Sequence, residues 1–455
     1  SLSPEQIMAI FRNQTYIVAN ETIKNENWSV QATPNDGFED GTMVISNNVT
    51  ILNAKPSIAT LVLNTTNISS NNTNVNLTAY ATTLDIDSDS VKVIYNWIVN
   101  ASPIAILNMP FERINGTVVD NAWDYSGNRN NGSEQGGVVW NATGGFNDSK
   151  GAYTFDGLND FIAIPDAPGL TLEIPTWSVT VWVKPNLIEK LMNVFWKAPA
   201  NLLTGWGLNV GTNGAWVFQS AAGGWANTAG GTLPVNSWSF IAVTSNGTGI
   251  RTYHNAVLQT IDNRVENTPN NTLTLEIGTD TANVRYFNGT IDEVMIWNRS
   301  LSPEQIMAIF KNQSNIIVSN ETIRGENWSV QATPNDGFED GAMVTSNNLT
   351  ILNARPNITS LVLNTTNVSL NSSELNLTVY ANTSDADADS VKVIYNWLRN
   401  NTPIAVINMP FEGINGTASN NAWDYSGMGR HGSELGGLVW NTTGGYDRKG
   451  AYEFD

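Results

Sequence analysis

The chain has 455 residues, a formal net charge of −19 and a pI near 4.4, a balance that excludes a nucleic-acid backbone as partner. It contains no cysteine, which excludes a disulfide framework and any thiolate metal centre. No stretch approaches 18 uninterrupted apolar residues, so no membrane-spanning helix is predicted.

The first predicted element is a short helix in SLSPEQIMAIFRN, with Ser3 as N-cap, Pro4 at the first helical position and Glu5 and Gln6 in the first turn. From there the pattern is β. Alternating runs occur at 74–83, 91–99, 176–185 and 237–244, each bounded by Gly, Asn and Pro clusters. One brief helix type among many strands predicts packed sheets.

The chain also repeats itself. SLSPEQIMAIF at 1–11 recurs at 300–310, NWSVQATPNDGFEDG at 27–41 recurs at 327–341, and VKVIYNW at 91–97 recurs at 391–397. The match runs on to GAYTFD (151–156) against GAYEFD (450–455). Periods of 20–50 residues mark solenoids; a period of about 300 marks an array of whole domains. The expectation is a window from a longer tandem polymer.

Within that period, FDGLNDFIAIPD (155–166), VTVWVKP (179–185), SWSFIAVT (237–244), RTYHNAVL (251–258) and GTIDEVMIWNRSLSPEQI (289–306) follow in order, preceded by DYSGNRNNGS (124–133). Together these resemble laminin-G-like domains of the concanavalin A-like lectin/glucanase superfamily. The resemblance covers 103–312 and implies a jelly roll of two packed antiparallel sheets. One departure is YHNAVL, where Ala256 stands at a turn position that relatives usually give to glycine.

A second sandwich type is split. Residues 56–97 and 356–397 each carry a Pro, two strands, an Asp-x-Asp-x-Asp run and VKVIYNW, and resemble the front half of an immunoglobulin-like sandwich with its core tryptophan. Residues 325–352, with Trp328, Val330 and Ala332 alternating before a PNDG turn, resemble the back half. The expected fold is all-β: a concanavalin A-like jelly roll inserted into an immunoglobulin-like β-sandwich, in tandem repeats of about 300 residues. Loop ends lie close together and lengthening a loop costs little, so sandwiches tolerate such insertion.

This reading divides the chain at 1–13 (end of a preceding laminin-G-like domain), 14–55 (back half of a preceding immunoglobulin-like domain), 56–102 (front half), 103–312 (jelly roll), 313–354 (back half), 355–402 (front half of the next) and 403–455 (start of the next jelly roll). The rival parse is a contiguous immunoglobulin-like domain at 14–102 followed by the jelly roll. ILNAKP (51–56) and ILNARP (351–356) favour the split, because a last strand running into Pro is how one sandwich hands over to the next.

Glycoside hydrolysis needs two carboxylates flanking the scissile bond, set in the hydrolase relatives as Glu-x-Asp-x-x-Glu on one strand. No such run occurs; the nearest, Asp292-Glu293, is adjacent and on a regular strand points to opposite faces. The two histidines, His254 on a predicted hairpin and His431 opposite Asn131 of the other copy, suggest no catalytic constellation. No enzyme is predicted. Hard oxygen donors suit Ca²⁺: the laminin-G-like resemblance implies Asp124 with Asn128 and Asp292 as ligands. A second Ca²⁺ set is Asp85, Asp87 and Asp89, although a solvated acidic turn is the plainer reading of that run. Within the Gly-rich stretch 204–231, Trp206, Trp216 and Trp225 are candidate sugar platforms, with core packing as the plainer explanation.

About 30 Asn-x-Ser/Thr sequons replace the scarce surface charges, roughly two to three times the chance number. In the first period they are Asn13, Asn20, Asn27, Asn48, Asn64, Asn67, Asn71, Asn76, Asn100, Asn115, Asn131, Asn141, Asn147, Asn246, Asn270, Asn288 and Asn298. In the second they are Asn312, Asn320, Asn327, Asn348, Asn357, Asn364, Asn367, Asn371, Asn376, Asn382, Asn400, Asn415 and Asn441. N-linked glycans outside the cell are the expectation, on a prokaryotic surface and with archaea favoured. The predicted function is a structural repeat protein of an extracellular filament or surface layer whose partners are copies of itself. The alternative is a multivalent adhesin that binds surface glycans through the laminin-G-like domain.

Overall fold

The computed structural model describes the chain apart from residues 67–70, 147–150, 200–203, 222–225, 265–267, 283, 368–371, 415, 417, 418 and 455. Contacts divide it into two units: Ser1–Asn71 with Val75–Thr322 and Glu326–Ile351, and Asn72–Asn74 with Ile323–Gly325 and Leu352–Asp455. The fold is almost entirely β. Among the described residues the α-helices are Pro4–Phe11 and Pro303–Phe310, the two copies of the predicted one. Ser3 and Ser302 cap them, each Oγ accepting a hydrogen bond from the backbone N–H three residues on at 3.2 Å.

In the first unit, two antiparallel sheets form the jelly roll. One runs Ser133–Gln135, Phe161–Ile164, Leu275–Ile277, Met192–Lys197, Trp206–Val210, Ala215–Ser220, Ala226–Thr232. The other runs Val139–Asn141, Ala152–Asp156, Asn288–Trp297, Thr176–Pro185, Ser239–Asn246, Ile250–His254, Val257–Asp262, with Ala105–Met109 also on Asn288–Trp297. The predicted alternation sorts the central strand. Trp177, Val179, Val181 and Val183 enter the core between the sheets, while Trp182 joins a second apolar cluster on the outer face.

That outer face is covered by a small sandwich. Its first sheet runs Ile316–Ile317, Leu77–Leu84, Ser57–Thr65; its second runs Val344–Thr345, Asn327–Asn335, Lys92–Val99, Ser102–Pro103, with Leu349–Thr350 also on Asn327–Asn335. Strands from before and after the jelly roll therefore pair directly, Val330 opposite Trp97 and Ala332 opposite Tyr95. Trp97 and Trp328 meet edge to face at 6.3 Å. Leu63, Leu77, Trp328 and Val330 share one buried cluster with Trp182, Phe240 and Trp297 of the jelly roll and Ile306 of the second helix.

The departure at Ala256 leaves the hairpin tight. Asn255 and Ala256 have φ of 50° and 61°, the pair of left-handed residues that a two-residue turn of this hand requires. Alanine holds that conformation at roughly 1–2 kcal/mol relative to glycine.

Among the described residues the second unit holds the ladders Asn357–Thr365 with Leu377–Ser384, Leu398–Arg399 with Thr402–Pro403, and Val439–Asn441 with Ala451–Glu453.

Candidate functional site

Where the small sandwich meets the jelly roll, charges are buried. Lys92 Nζ lies 2.5 Å from both Glu112 Oε1 and Glu293 Oε1. Glu112 and Asp292 are fully buried; Glu112 Oε2 accepts from Gly151 N–H at 3.0 Å and Asp292 Oδ2 from Phe146 N–H at 2.8 Å. The ladder between Thr176–Pro185 and Asn288–Trp297 shifts register between Thr180 and Trp182, and Glu293 has φ of 51°. This bulge corrects the expectation that Asp292 and Glu293 point apart: an extra residue re-aims a side chain, and both carboxylates come close to one ammonium group. Burial, then Glu293, hold the Asp292 carboxyl well above its ordinary pKa, and burial raises Glu112 as well. Lys92 is drawn down by burial but pushed up further by Glu293, Glu112 and Asp292, for a net rise. The cavity beside the cluster, lined by Tyr95, Trp97, Phe146, Trp182, Glu293 and Trp297 among others, is about 40 Å³. It has room for a few water molecules and none for a sugar ring.

The Asp-x-Asp-x-Asp run sits at a junction. Asp85, Asp87 and Asp89 bring carboxylate oxygens within 4.8 Å of one another. Asp87 Oδ2 accepts from Ala54 N–H at 2.7 Å, Lys24 Nζ pairs with Asp89, and Asp85 Oδ2 is buried without a hydrogen bond. The Asp87 and Asp89 contacts tie residues 14–54 to the sandwich that follows. Asn53 Nδ2 adds a bond to Asp336 at 2.7 Å, and Lys24 lies 3.6 Å from the Phe338 ring centre. The second unit repeats the clasp: Asp387 Oδ2 takes Ala354 N–H at 2.7 Å and Asp389 pairs with Arg324.

Asp124 and Asp292 hold different sets of partners. Asp124 Oδ1 accepts from Asn108 and Ser126 N–H, and Oδ2 from Ser126 O–H and Asn130 N–H. Asn128 spends its Nδ2 on the Ala105 and Ile106 carbonyls. This acidic turn is a hydrogen-bonded brace for the first jelly-roll strand. Asn131 Oδ1 accepts from Asp124 N–H at 2.9 Å, and His431 Nδ1 does the same for Asp424 at 3.1 Å. His431 thus replaces Asn131 as an acceptor. His254 is half-buried at a strand end.

The sugar-platform expectation is corrected for two tryptophans. Trp206 and Trp216 are fully buried in the jelly-roll core; Trp206 stacks on Phe218 and donates its indole N–H to the Leu170 carbonyl at 2.8 Å. The alternation of their own strands points both between the sheets. Trp225 lies outside the described residues.

One further surface stands out, and repetition exposes it. Val330 is 0% exposed whereas its copy Val30 is 63% exposed. Ile306 of the second helix is buried whereas Ile7, its copy, is 57% exposed. Sequence alone marked Val330 and Ala332 as alternating apolar strand positions; comparison with their copies Val30 and Ala32 shows what covers such positions.

Residues 155–307 match the family model described as concanavalin A-like lectin/glucanases superfamily, a laminin-G model. No curated protein matches the chain. Among solved structures, domain 4 of an extracellular arabinanase from Geobacillus stearothermophilus, in complex with arabinotriose, is similar at 19% identity over 47% of this chain and 98% of that one, with a TM-score of 0.37. The receptor-binding domain of botulinum neurotoxin C/D mosaic serotype is similar at 17% identity, 46% of this chain and 51% of that one, TM-score 0.38. The binding domain of botulinum neurotoxin serotype D gives 18%, 46%, 52% and 0.37. The chain spans about half the length of these toxin domains. Residues 155–307 carry the laminin-G-like, concanavalin A-like part of this chain.

Proposed function

We propose that the chain is a non-catalytic structural repeat protein of an extracellular filament or surface layer, on a prokaryotic and by preference archaeal cell, and that its partners are copies of itself. The observation that carries this is one sequence in two packings: residues 327–354 are covered by 57–99, while the copy at 27–54 leaves the same apolar positions open. Open apolar strand faces of this kind call for a partner. The pairing of Asn327–Asn335 with Lys92–Val99 supports an immunoglobulin-like sandwich carrying the jelly roll as an insertion. The closed, lysine-neutralised carboxylate cluster supports a structural rather than catalytic role.

Heavy N-glycosylation belongs to the same proposal. Asn67, Asn147, Asn371 and Asn415 lie outside the described residues, and none of the other sequon asparagines is buried. The exposed Asn115, Asn141 and Asn246 each accept at Oδ1 from the N–H and hydroxyl of the Thr two residues on. Peptides of native material spanning Asn115, Asn246 and Asn298 should carry added hexose mass. Unmodified peptides throughout would remove the glycan coat from the proposal, and native particles sedimenting only as single chains would remove the filament.

Ca²⁺ is proposed at Asp85, Asp87 and Asp89. What supports it is the carboxylate convergence and the buried, unpartnered Asp85 Oδ2, hard donors that suit this ion. Millimolar Ca²⁺ should raise the melting temperature by a few degrees in the parent chain and by less in Asp85→Asn. Equal response in both discards the site.

A further inference from the structure

Trp123 lies in the turn that Asp124 braces, and it is 43% exposed. None of the described ring contacts involves it. A large aromatic face in water is where a covering surface gains most. In the second copy of the turn such a cover is present. Trp423 is 41% exposed, and the imidazole of His431 stacks on it with ring centres 3.6 Å apart and planes 25° from parallel.

The two turns share one conformation. Gly132 and Gly432 donate to the Ala122 and Ala422 carbonyls at 2.8 Å, and Tyr125 and Tyr425 to the Asn108 and Asn408 carbonyls at 2.8 Å. Asp124 and Asp424 each accept from the Ser126 or Ser426 N–H at 2.9 Å. Where the copies differ, Asn131 Oδ1 and His431 Nδ1 accept the same bond, from Asp124 N–H at 2.9 Å and Asp424 N–H at 3.1 Å. Equivalent anchoring sets Asn131 beside the Trp123 indole as His431 is set beside Trp423. The Asn amide offers no second ring, but it opens an Asn-Gly-Ser sequon that His431-Gly-Ser lacks. A backbone N–H must face the amide oxygen, so Nδ2 is the atom left for a sugar, and none of the described hydrogen bonds uses it.

We infer that Asn131 carries an N-linked glycan whose first sugar stacks on Trp123, in the place that His431 takes on Trp423. The inference rests on the reading of the chain as N-glycosylated and names a site where the glycan is part of the packing. Attachment forms a bond from Nδ2 to the anomeric carbon as the bond from that carbon to the phosphate of an activated glycosyl donor breaks; Nδ2 gives up one proton and keeps the other. Oδ1 is untouched, so the bond from Asp124 N–H survives and holds the amide in orientation. The C–H face of the sugar then lies on the indole, and apolar surface leaves water on both sides of the contact.

Ser133→Ala removes the sequon and leaves Asn131 with its bond to Asp124. Ser133 is exposed, and its hydroxyl accepts from Gln135 Nε2 at 2.8 Å. In the full chain from its native host, site-resolved mass spectrometry should find sugar on Asn131, and Ser133→Ala should lower Tm by about 2–4 °C. Trp123→Ala should lower it by the same amount, and the double variant by no more than either single one, the non-additivity of two groups in contact. Asn131→His also removes the sequon but brings in the residue of the second copy, and should hold Tm within about 1 °C of the parent. In protein made by a host without N-glycosylation, Ser133→Ala should leave Tm within about 1 °C, as for an exposed substitution. Sugar on Asn115 and Asn246 with Asn131 bare overturns this inference and leaves glycosylation standing. Sugar on Asn131 with additive losses overturns the contact with Trp123. Unmodified peptides at every sequon overturn the inference and the glycosylation reading together.

Discussion

Lys92→Met is expected to destabilise the first unit by about 3–5 kcal/mol at neutral pH, because removing one partner strands buried charges. Lys92 Nζ bridges Glu112 and Glu293, and Asp292 beside them is fully buried. Methionine keeps most of the stem volume, so the loss reports charge more than packing. The pH dependence distinguishes this from a cavity effect. Glu112 and Asp292 have raised pKa values in the fold, so their contribution is present below the unfolded carboxylate range and is lost as pH rises through the folded values. Lys92 is raised too; its contribution holds below the ordinary lysine range and is lost only above it. Protonating the carboxylates in acid should therefore shrink the cost of Lys92→Met to roughly half at about pH 4.5. Denaturant unfolding at the two pH values measures it. An equal loss at both would show that the cluster is held by packing alone.

The jelly roll and both helices were legible because their signals are local. Ser3 and Pro4 mark a helix start whatever surrounds them, and alternation at 176–185 marks a strand with two distinct faces. What alternation does not say is whether the second face meets water. Here it meets the small sandwich, so Trp182 is as buried as its neighbours on the core side. Trp206 and Trp216 follow the plainer reading, core packing: their two segments pair as adjacent strands and both side chains lie in the core between the sheets.

The charged cluster was the least legible feature. Lys92 and Glu293 lie far apart in sequence, and the bulge that turns Glu293 toward Lys92 is set by the mismatch of two strands rather than by residue type. The acidic run was visible as a metal candidate, but its contacts to Ala54 and Lys24 were not. Carboxylates at alternate positions look alike whether they await a cation or cap a neighbouring backbone.

The two copies of one tryptophan provide the second large expected effect. Trp328 is fully buried, packed edge to face on Trp97 at 6.3 Å with the Arg299 guanidinium 5.2 Å from its ring centre. Trp328→Ala should cost about 3–5 kcal/mol, the range for deleting a large buried aromatic. Trp28 has the same neighbours in sequence and the same indole bond to a Glu two residues before it. It is only half-buried, however, and none of the described ring contacts involves it. Trp28→Ala in the single chain should cost less than about 1 kcal/mol, as for a substitution outside a packed core. Strand propensity is identical at the two sites, so the difference isolates the contribution of the covering half-sandwich. The contrast also depends on assembly. Where a neighbouring repeat covers the face, the Trp28→Ala loss should rise toward that of Trp328→Ala. Thermal unfolding of each variant across protein concentration gives the comparison. Two equal losses in dilute monomer would mean that Trp28 is already packed in the single chain, and that residues 27–54 need no partner.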